Sequence, residues 1–526
     1  MSEKPIGHDT SNVFFQSDNL DMAALEREKA YLADLESKNM PTKVGGYLKL
    51  SGPGWIQSAL SLGGGSGSLS LFAGALAGYS LLWVNPSSML MGVIMLGAIA
   101  YMTLSTGIRP FHAINQHVHP LVGWAWALAV LVANFVWIFG QFNVSAAVAG
   151  DIITLGGTRE PAWLASVGHA LFGPDLSAGA AAGRGFGVLL CPFIAVLSLW
   201  VAWHYGKGTR GVRWFESAMK LVVAGIVICF LVVVLTTRTD WVGVFKGMFS
   251  FSVPRPHETD KLDVVISAFA AAVGINMTFI LPYTILARGW GREHRTLAGF
   301  DLSLGMFVPF VFAVSCLTIA AGNTLHQSVY PEVQAQIAPL EAEVQSLRAD
   351  TTLPAAERDA RIAELTGQIG AAKAPLRTAV SMASSLEPLL GPRLSRIIFG
   401  LGFLGMTTSS IITMMLVSGF TLCEISGNRP GGTVFKLGTC LPALGMFGPI
   451  VFGQLDMYLM VPISVFCFFF SPIAYIAFFI LMNKKAFLGD DLPRGWKRWA
   501  WNIGMLAAIA VVTSGGAYRI YAIFTS

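Results

Sequence analysis

Charged side chains are scarce in this sequence. Only 12% of the 526 residues are Asp, Glu, Lys or Arg, whereas 54% are apolar. Soluble domains carry about 25% charged residues, so a soluble fold of this composition would expose a large apolar surface to water. The composition therefore predicts a multi-pass integral membrane protein whose main partner is the lipid bilayer of the cell membrane.

Several other signals are missing. The net charge is only +5 and the basic residues lie in short loops, which argues against a nucleic-acid partner. The six cysteines are far apart in apolar segments and have neither zinc-site nor disulfide spacing. The polar residues 1–18 contain no apolar signal core. No cluster of nucleophile, base and metal ligands indicates an enzyme or a cofactor site.

Eleven apolar segments approach or exceed the length of about 20 residues that a membrane-spanning helix needs. They cover residues 50–77, 81–104, 121–149, 186–203, 214–237, 262–286, 302–321, 395–423, 434–453, 457–482 and 499–524. With a cytoplasmic N-terminus, the inner loops carry 14 basic residues and the outer loops 6, apart from a long insertion. This asymmetry satisfies the positive-inside rule, so we predict eleven transmembrane helices and a cytoplasmic N-terminus.

The apolar pattern divides the chain into four parts. Residues 1–45 form a predicted cytoplasmic segment with an amphipathic helix at 19–38, and residues 46–330 contain transmembrane helices 1–7. Residues 331–375 are two charged helical stretches and predict an extracellular helical hairpin, followed by transmembrane helices 8–11 in residues 376–526. We interpret the hairpin as a solvated insertion, with a partner-contact surface as the alternative.

Two predicted helices contain residues that interrupt a helix. The first has GGGSGS at 63–68, and each interior glycine costs a helix about 1 kcal/mol. The sixth has GINMTFILPY at 274–283, whose proline removes a backbone hydrogen bond. Interrupted helices at matching places in two halves indicate a transporter site. Helices 1–5 and 6–10 would then form the two halves, and the alternative for each break is a hydrated hinge or close helix packing.

Residues 52–83, GPGWIQSALSLGGGSGSLSLFAGALAGYSLLW, align without a gap to the start of the NRAMP (natural resistance-associated macrophage protein) metal transporters. Similarity continues in GVRWFESAMKLVVAGIVICFLVVVLTTRTDWVGVFKGMF at 211–249 and GLGFLGMTTSSIITMMLVSGFTLCEISG at 400–427. The chain thus resembles this family over most of residues 46–526. The resemblance implies an all-α fold of the LeuT type, a 5+5 inverted repeat with helices 1 and 6 broken, and metal-ion transport.

The resemblance places the family's metal-site motifs on residues of different chemistry. The Asp-Pro-Gly-Asn motif falls on Gly63, Gly64, Gly65 and Ser66, and the Met-Pro-His motif falls on Leu281, Pro282 and Tyr283. A carbonyl ligand maps to Thr278, two acidic positions map to Ile138 and Gln141, and a glutamine maps to Ser464. With Gly274 and Asn276 from the second break, the candidate substrate-binding residues are Gly63, Gly64, Gly65, Ser66, Gln141, Thr278, Leu281, Tyr283 and Ser464. Asn143 and 407–410 are their expected neighbours.

No carboxylate or histidine lies at mid-membrane depth in the predicted helices. Transition-metal sites are built from imidazole, thiolate or carboxylate, so no metal ligand is assigned. We therefore expect a family-related transporter of altered substrate that does not move protons, with a hydrated hard ion such as Mg²⁺ as the metal candidate. The alternatives are a small anion or neutral organic solute and, in another class, a non-transporting receptor or scaffold.

Overall fold

The computed structural model describes residues 22–155, 158–204, 217, 221, 225, 228, 230–255, 258–349 and 354–525. Regular structure in this part of the chain is entirely helical. The helices up to the second break are α1 (Met22–Glu36), α2 (Met40–Leu50), α3 (Pro53–Ser61), α4 (Gly64–Ala77), α5 (Val84–Thr106), α6 (Pro110–His117), α7 (Pro120–Thr154), α8 (Ala162–Phe172), α9 (Ala178–His204), α10 (Trp241–Phe249) and α11 (Thr259–Ala272).

The second part of the chain continues in the same way. Its helices are α12 (Ile275–Ala287), α13 (Arg295–Leu302), α14 (Val308–Ala321), α15 (Tyr330–Ala349), α16 (Ala355–Ala372), α17 (Ala379–Ser384), α18 (Glu387–Ser426), α19 (Thr433–Ala443), α20 (Gly448–Phe452), α21 (Met460–Phe468), α22 (Ser471–Met482), α23 (Lys485–Leu488) and α24 (Trp496–Thr525). Short 3₁₀ and π turns join several of these helices.

Eight described helices are long and apolar enough to cross a membrane, or nine if the bent pair Leu455–Phe468 and Ser471–Met482 is one span. The first predicted span is divided between α3 and α4, each shorter than a span, and the fifth, 214–237, lies mostly outside the described residues. The predicted all-α membrane fold is confirmed, whereas the count of eleven spans stays a prediction.

Both predicted breaks are present, but each is shorter than the sequence suggested. The first consists of Leu62 and Gly63, and the helix resumes at Gly64. The second consists of Val273 and Gly274, both with extended backbone. The GGGSGS stretch is therefore helical from its second residue onward. Pro282 lies inside α12 and causes no break, because surrounding helices can compensate for the one hydrogen bond that a proline removes.

Glycines let α4 lie at the centre of the bundle. All 14 residues of this helix are buried. A β-carbon at Gly74 would lie 2.2 Å from the carbonyl oxygen of Thr318 in α14, so the two helix backbones are in direct contact. Small residues at helix interfaces allow such close approach in membranes.

Polar contacts close the end of the bundle that carries α1. The Asp301 carboxylate accepts backbone N–H groups of Gly52, at 3.2 Å, and of Gly54, at 2.6 Å. It therefore caps α3, which has no side-chain cap of its own. At the same end, Arg109 and Glu424 form an ion pair of 2.7 Å whose side chains are 12% and 1% exposed.

The predicted hairpin at 331–375 corresponds to α15 and α16 with their connection. At its C-terminal end, Lys373 forms ion pairs with Asp260 at 2.7 Å and with Glu341 of α15 at 3.2 Å. Since Asp260 lies in the first turn of α11, the hairpin is tied to the first half of the second broken helix.

Candidate functional site

The two breaks face each other across a direct hydrogen bond. The hydroxyl of Ser61, the last residue of α3, donates to the carbonyl oxygen of Ala272, the last residue of α11, at 3.0 Å. The same hydroxyl lies 3.5 Å from the Met277 sulfur in α12. The Ser66 hydroxyl bonds back across the first break to the carbonyl oxygens of Ser61 and, at 3.2 Å, of Gly63. The interrupted backbone is therefore partly satisfied by serine side chains.

A small cavity lies between the breaks. About 20 Å³ of it is open to the centre of a water molecule, which is room for about one water. Its wall is formed by Leu60, Ser61, Gly63, Gly65, Ser66, Trp137, Gln141, Ala271, Gly274, Asn276, Met277 and Met414. In this conformation the site has room for little more than a single small group.

Three buried polar side chains around the cavity have no hydrogen-bond partner among the described residues: the Trp137 indole nitrogen, the Gln141 carbonyl oxygen and the Ser410 hydroxyl. These residues are 5%, 2% and 1% exposed. A β-carbon at Gly65 would lie 3.3 Å from Trp137 Nε1 and 3.5 Å from Gln141 Nε2. One at Gly63 would lie 2.1 Å from Ser410 Oγ. The unpaired groups therefore surround the start of α4.

Most of the predicted site residues meet at this cavity. Gly63, Gly65, Ser66, Gln141, Gly274 and Asn276 form part of its wall. Gly64 lies next to it, since a β-carbon there would lie 2.9 Å from Gln141 Oε1.

Three predicted residues of α12 do not border the cavity. Thr278 donates to the carbonyl oxygen of Ile275 at 2.6 Å and accepts from the Trp126 indole at 3.1 Å. Leu281 is buried in α12. The Tyr283 ring stacks on Phe279 at 4.4 Å.

The other expected residues of this region are not part of the cavity wall either. The Tyr283 hydroxyl interacts with the Glu424 carboxylate near the α1 end. Ser464 in α21 is fully buried and its hydroxyl has no partner in the described structure. Asn143, an expected neighbour, donates to the Asp456 carbonyl at 2.5 Å. Thr407 accepts from the Ser145 hydroxyl at 2.6 Å. These residues support the helices around the site, but none of them borders the cavity between the breaks.

Sequence reasoning missed four groups on this wall: Ser61, Trp137, Met277 and Met414. Trp137 could have been found, because it precedes Gln141 by four residues and therefore shares its helix face. The methionines carry no such signal, since a methionine in an apolar helix is ordinarily a packing residue. They put thioether groups beside the cavity, although the aligned Met-Pro-His position holds leucine.

The wall contains no ionised ligand for a metal ion. No carboxylate, imidazole or thiol is among its residues, all of which belong to the described part of the chain. The described residues also contain no group of three His, Cys, Asp or Glu side chains that could hold a metal ion. The arrangement can offer neutral oxygens, thioethers and N–H donors to a bound species.

A second and larger cavity lies between α7, the start of α9 and the segment around Asp456, with about 360 Å³ open to water centres. Its charged groups are held by local contacts. Asp151 pairs with Arg396 at 2.7 Å, and Asp456 accepts the Ala379 N–H at 3.2 Å. The Arg184 guanidinium lies 5.6 Å from the Phe172 ring centre. This space is separate from the breaks and shares no wall residue with them.

Together the apolar helices and the paired breaks define a membrane protein with a fold of the LeuT type. Residues 54–349 and 360–520 match the family model described as natural resistance-associated macrophage protein-like, Nramp. The chain therefore belongs to the Nramp family.

Two curated relatives are metal transporters. The divalent metal cation transporter MntH of Bacillus subtilis (strain 168) is 25% identical over 295 residues, which are 55% of this chain and 60% of that protein. Metal transporter Nramp6.2 of Populus trichocarpa is 23% identical over 292 residues, covering 54% and 47%. The matched region thus spans about half the length of these relatives.

Solved structures show the same fold. A mutant of the Eremococcus coleocola manganese transporter has a TM-score of 0.61 at 15% identity, covering 92% of this chain and 89% of that one. MhsT in complex with L-phenylalanine has a TM-score of 0.54 at 12% identity, covering 88% and 98%. At these identities the likeness concerns the fold alone.

Proposed function

We propose that this protein is a secondary transporter that carries a small polar solute through the site between its two broken helices. The observation that carries the proposal is the wall of the cavity, where unpaired polar groups surround bare backbone at membrane depth. Buried polar groups without partners are costly, and a bound solute would satisfy them when it fills the cavity. In this proposal the solute contacts the expected site residues that border the cavity. These are Gly63, Gly65, Ser66, Gln141, Gly274 and Asn276.

The cargo in this proposal is not a dehydrated transition-metal ion. The relatives are named as metal or manganese transporters, and Mn²⁺ favours carboxylate, carbonyl and water ligands. Here the wall offers no carboxylate to offset the dehydration of a divalent cation. The thioethers of Met277 and Met414 are soft, neutral ligands that suit Cu(I) better than Mn²⁺.

Hydrated Mg²⁺ is the second candidate. The unpaired oxygens of Gln141 and Ser410 are groups that could accept hydrogen bonds from metal-bound water. Mg²⁺ keeps several of its waters in proteins but is usually held through one or two carboxylates. The cavity has room for about one water, so this candidate requires a substantial widening of the site.

Transport without proton movement is part of the same proposal. Intramembrane carboxylates and histidines form proton relays in transporters, and the cavity wall has neither. The orientation with a cytoplasmic N-terminus also remains part of this proposal. A receptor or scaffold role is less well supported, because the hairpin is held against Asp260 by Lys373 and is thereby linked to a broken helix.

The test combines binding and flux. Purified full-length protein is screened by thermal shift against Mn²⁺, Mg²⁺, Cu(I), small anions and neutral metabolites, and every stabilising species is then measured for flux in proteoliposomes containing a pH dye. We expect a non-metal solute to be carried without acidification. Micromolar Mn²⁺ affinity, or proton movement with the substrate, would contradict the proposal.

Gly65→Val tests the position of the site. A β-carbon there would lie 2.7 Å from the terminal methyl group of Met460 and beside the unpaired groups. The flexible methionine can move, so the protein should fold while the branched side chain fills the cavity and blocks flux. Gly299→Val is the matched control, because a β-carbon at Gly299 meets nothing within 4 Å. Equal flux in both variants at equal expression would refute the site.

A further inference from the structure

We infer that the site recognises a compact anionic oxygen group, such as a carboxylate, at the start of α4. This inference rests on the proposed function and names the class of its substrate. It follows from three observations: an uncapped helix start, unpaired buried side chains around that start, and no negative charge on the cavity wall.

The first observation concerns the backbone. The first residues of an α-helix have N–H groups without partners inside the helix. In α4 these belong to Gly64 and the residues after it, and Gly63, which precedes them, provides no side-chain cap. The start of a helix carries the equivalent of about half a positive charge. Such ends bind anionic groups, and in transporters with broken helices they point at the substrate.

The second observation is independent of the helix and concerns side chains. The indole N–H of Trp137 is a donor only, is buried, and has no acceptor within the described structure. It lies beside Gly65, and the Ser410 hydroxyl lies beside Gly63. The Gln141 amide, between them, can present its NH₂ group after a half-turn of the side chain. Polar groups from α7 and α18 that can donate thus lie beside the first residues of α4.

The third observation decides the sign of the charge. A cation in the cavity would meet the positive end of α4 with no carboxylate on the wall to offset it. An anionic oxygen would meet the helix end and at least two unpaired donors. Gly63, Gly64 and Gly65 have no side chains to cover the backbone, and neighbouring side chains lie within 3 Å of where each β-carbon would be. Only a small group can therefore reach the amides.

The experiment compares matched probes on the full-length protein in nanodiscs by calorimetry. The anionic probes are acetate, formate, lactate and inorganic phosphate; acetamide is the neutral counterpart of acetate, and methylammonium is a cation of similar size. We expect at least one anionic probe to bind, and acetate to bind more tightly than acetamide. Inorganic phosphate distinguishes a general oxyanion site from a carboxylate site.

Trp137→Phe removes the indole donor and keeps an aromatic ring. Hydrogen bonds to charged groups contribute about 1.5–3 kcal/mol, so the affinity for the anionic probe should fall roughly ten- to hundredfold. Trp124→Phe on the same helix is the control, because Trp124 is 43% exposed and packs on Phe111; it should leave affinity unchanged. Ser410→Ala gives a second measurement if Trp137→Phe folds poorly.

The outcomes separate this inference from the function on which it rests. Failure of all four anions to bind would overturn the anion site. Wild-type affinity for the anion in both Trp137→Phe and Ser410→Ala would overturn it too. If a cation or neutral solute is then carried and Gly65→Val blocks it, the proposed transport still stands. If Gly65→Val has no effect on any flux, the proposed site itself is wrong.

Discussion

Asp301 holds the first half-helix in place, and its replacement by asparagine should release that helix. The carboxylate receives the N–H groups of Gly52 and Gly54 at 3.2 and 2.6 Å. Asparagine has one acceptor oxygen, and its NH₂ group would face a donor. Hydrogen bonds to a charged group contribute about 1.5–3 kcal/mol each. Losing about one of them should raise local opening of α3 by roughly ten- to hundredfold.

Hydrogen–deuterium exchange of a peptide covering residues 48–61 measures this opening in the purified protein. Asp490→Asn is the control, because the Asp490 side chain is fully exposed and its pairing with Arg494, 3.7 Å away, is a surface contact. Such pairs contribute about 0–1 kcal/mol. We expect faster exchange in Asp301→Asn alone. Equal exchange in the two variants would show that Asp301 does not cap α3.

Two further substitutions test the packing of the bundle. Glu424→Gln leaves the Arg109 guanidinium, only 12% exposed, without its charged partner and should lower the free energy of unfolding by about 3–5 kcal/mol. The thermal unfolding midpoint should fall, and an unchanged midpoint would contradict the ion pair's role. Gly74→Ala places a methyl group against the Thr318 carbonyl and should destabilise by about 1–3 kcal/mol. Gly299→Ala, in open space, should be neutral, and equal midpoints for the two glycine variants would refute the close contact.

The fold could be predicted because its causes are spread along the chain. Many apolar segments and a charge asymmetry between loops are properties of hundreds of residues, and single errors do not change them. The breaks were predicted for local reasons, the glycines at 63–68 and the stretch 274–283 with its glycine and proline, although Pro282 itself causes no break. Their length was overestimated. Gly64, Gly65 and Gly67 stay helical and provide close packing instead, which depends on neighbours that no local pattern reveals.

The site could be predicted less well. An alignment shows which residues correspond to the family's motifs, but it does not show where the helix is interrupted. The aligned motif put Leu281 and Tyr283 in the site, whereas the second break lies at Val273 and Gly274. Tyr283 is more than two turns further along α12, beside Glu424. Conversely, nothing in the sequence distinguishes Met277 or Met414 from ordinary buried residues of an apolar helix. Only the packing shows that they face the cavity.

The proposed change of substrate depends on the difference between the backbone and the side chains of the site, because mutation changes only the side chains. The positive end of α4 belongs to the backbone and persists whatever side chains surround it. In the aligned family motif, an aspartate stands at the position of Gly63 and would offset that positive end for a cation. Glycine removes the negative charge and leaves the helix end bare. In this proposal the glycine at position 63, with the other altered motif positions, therefore favours an anionic group in place of a metal ion on the same fold.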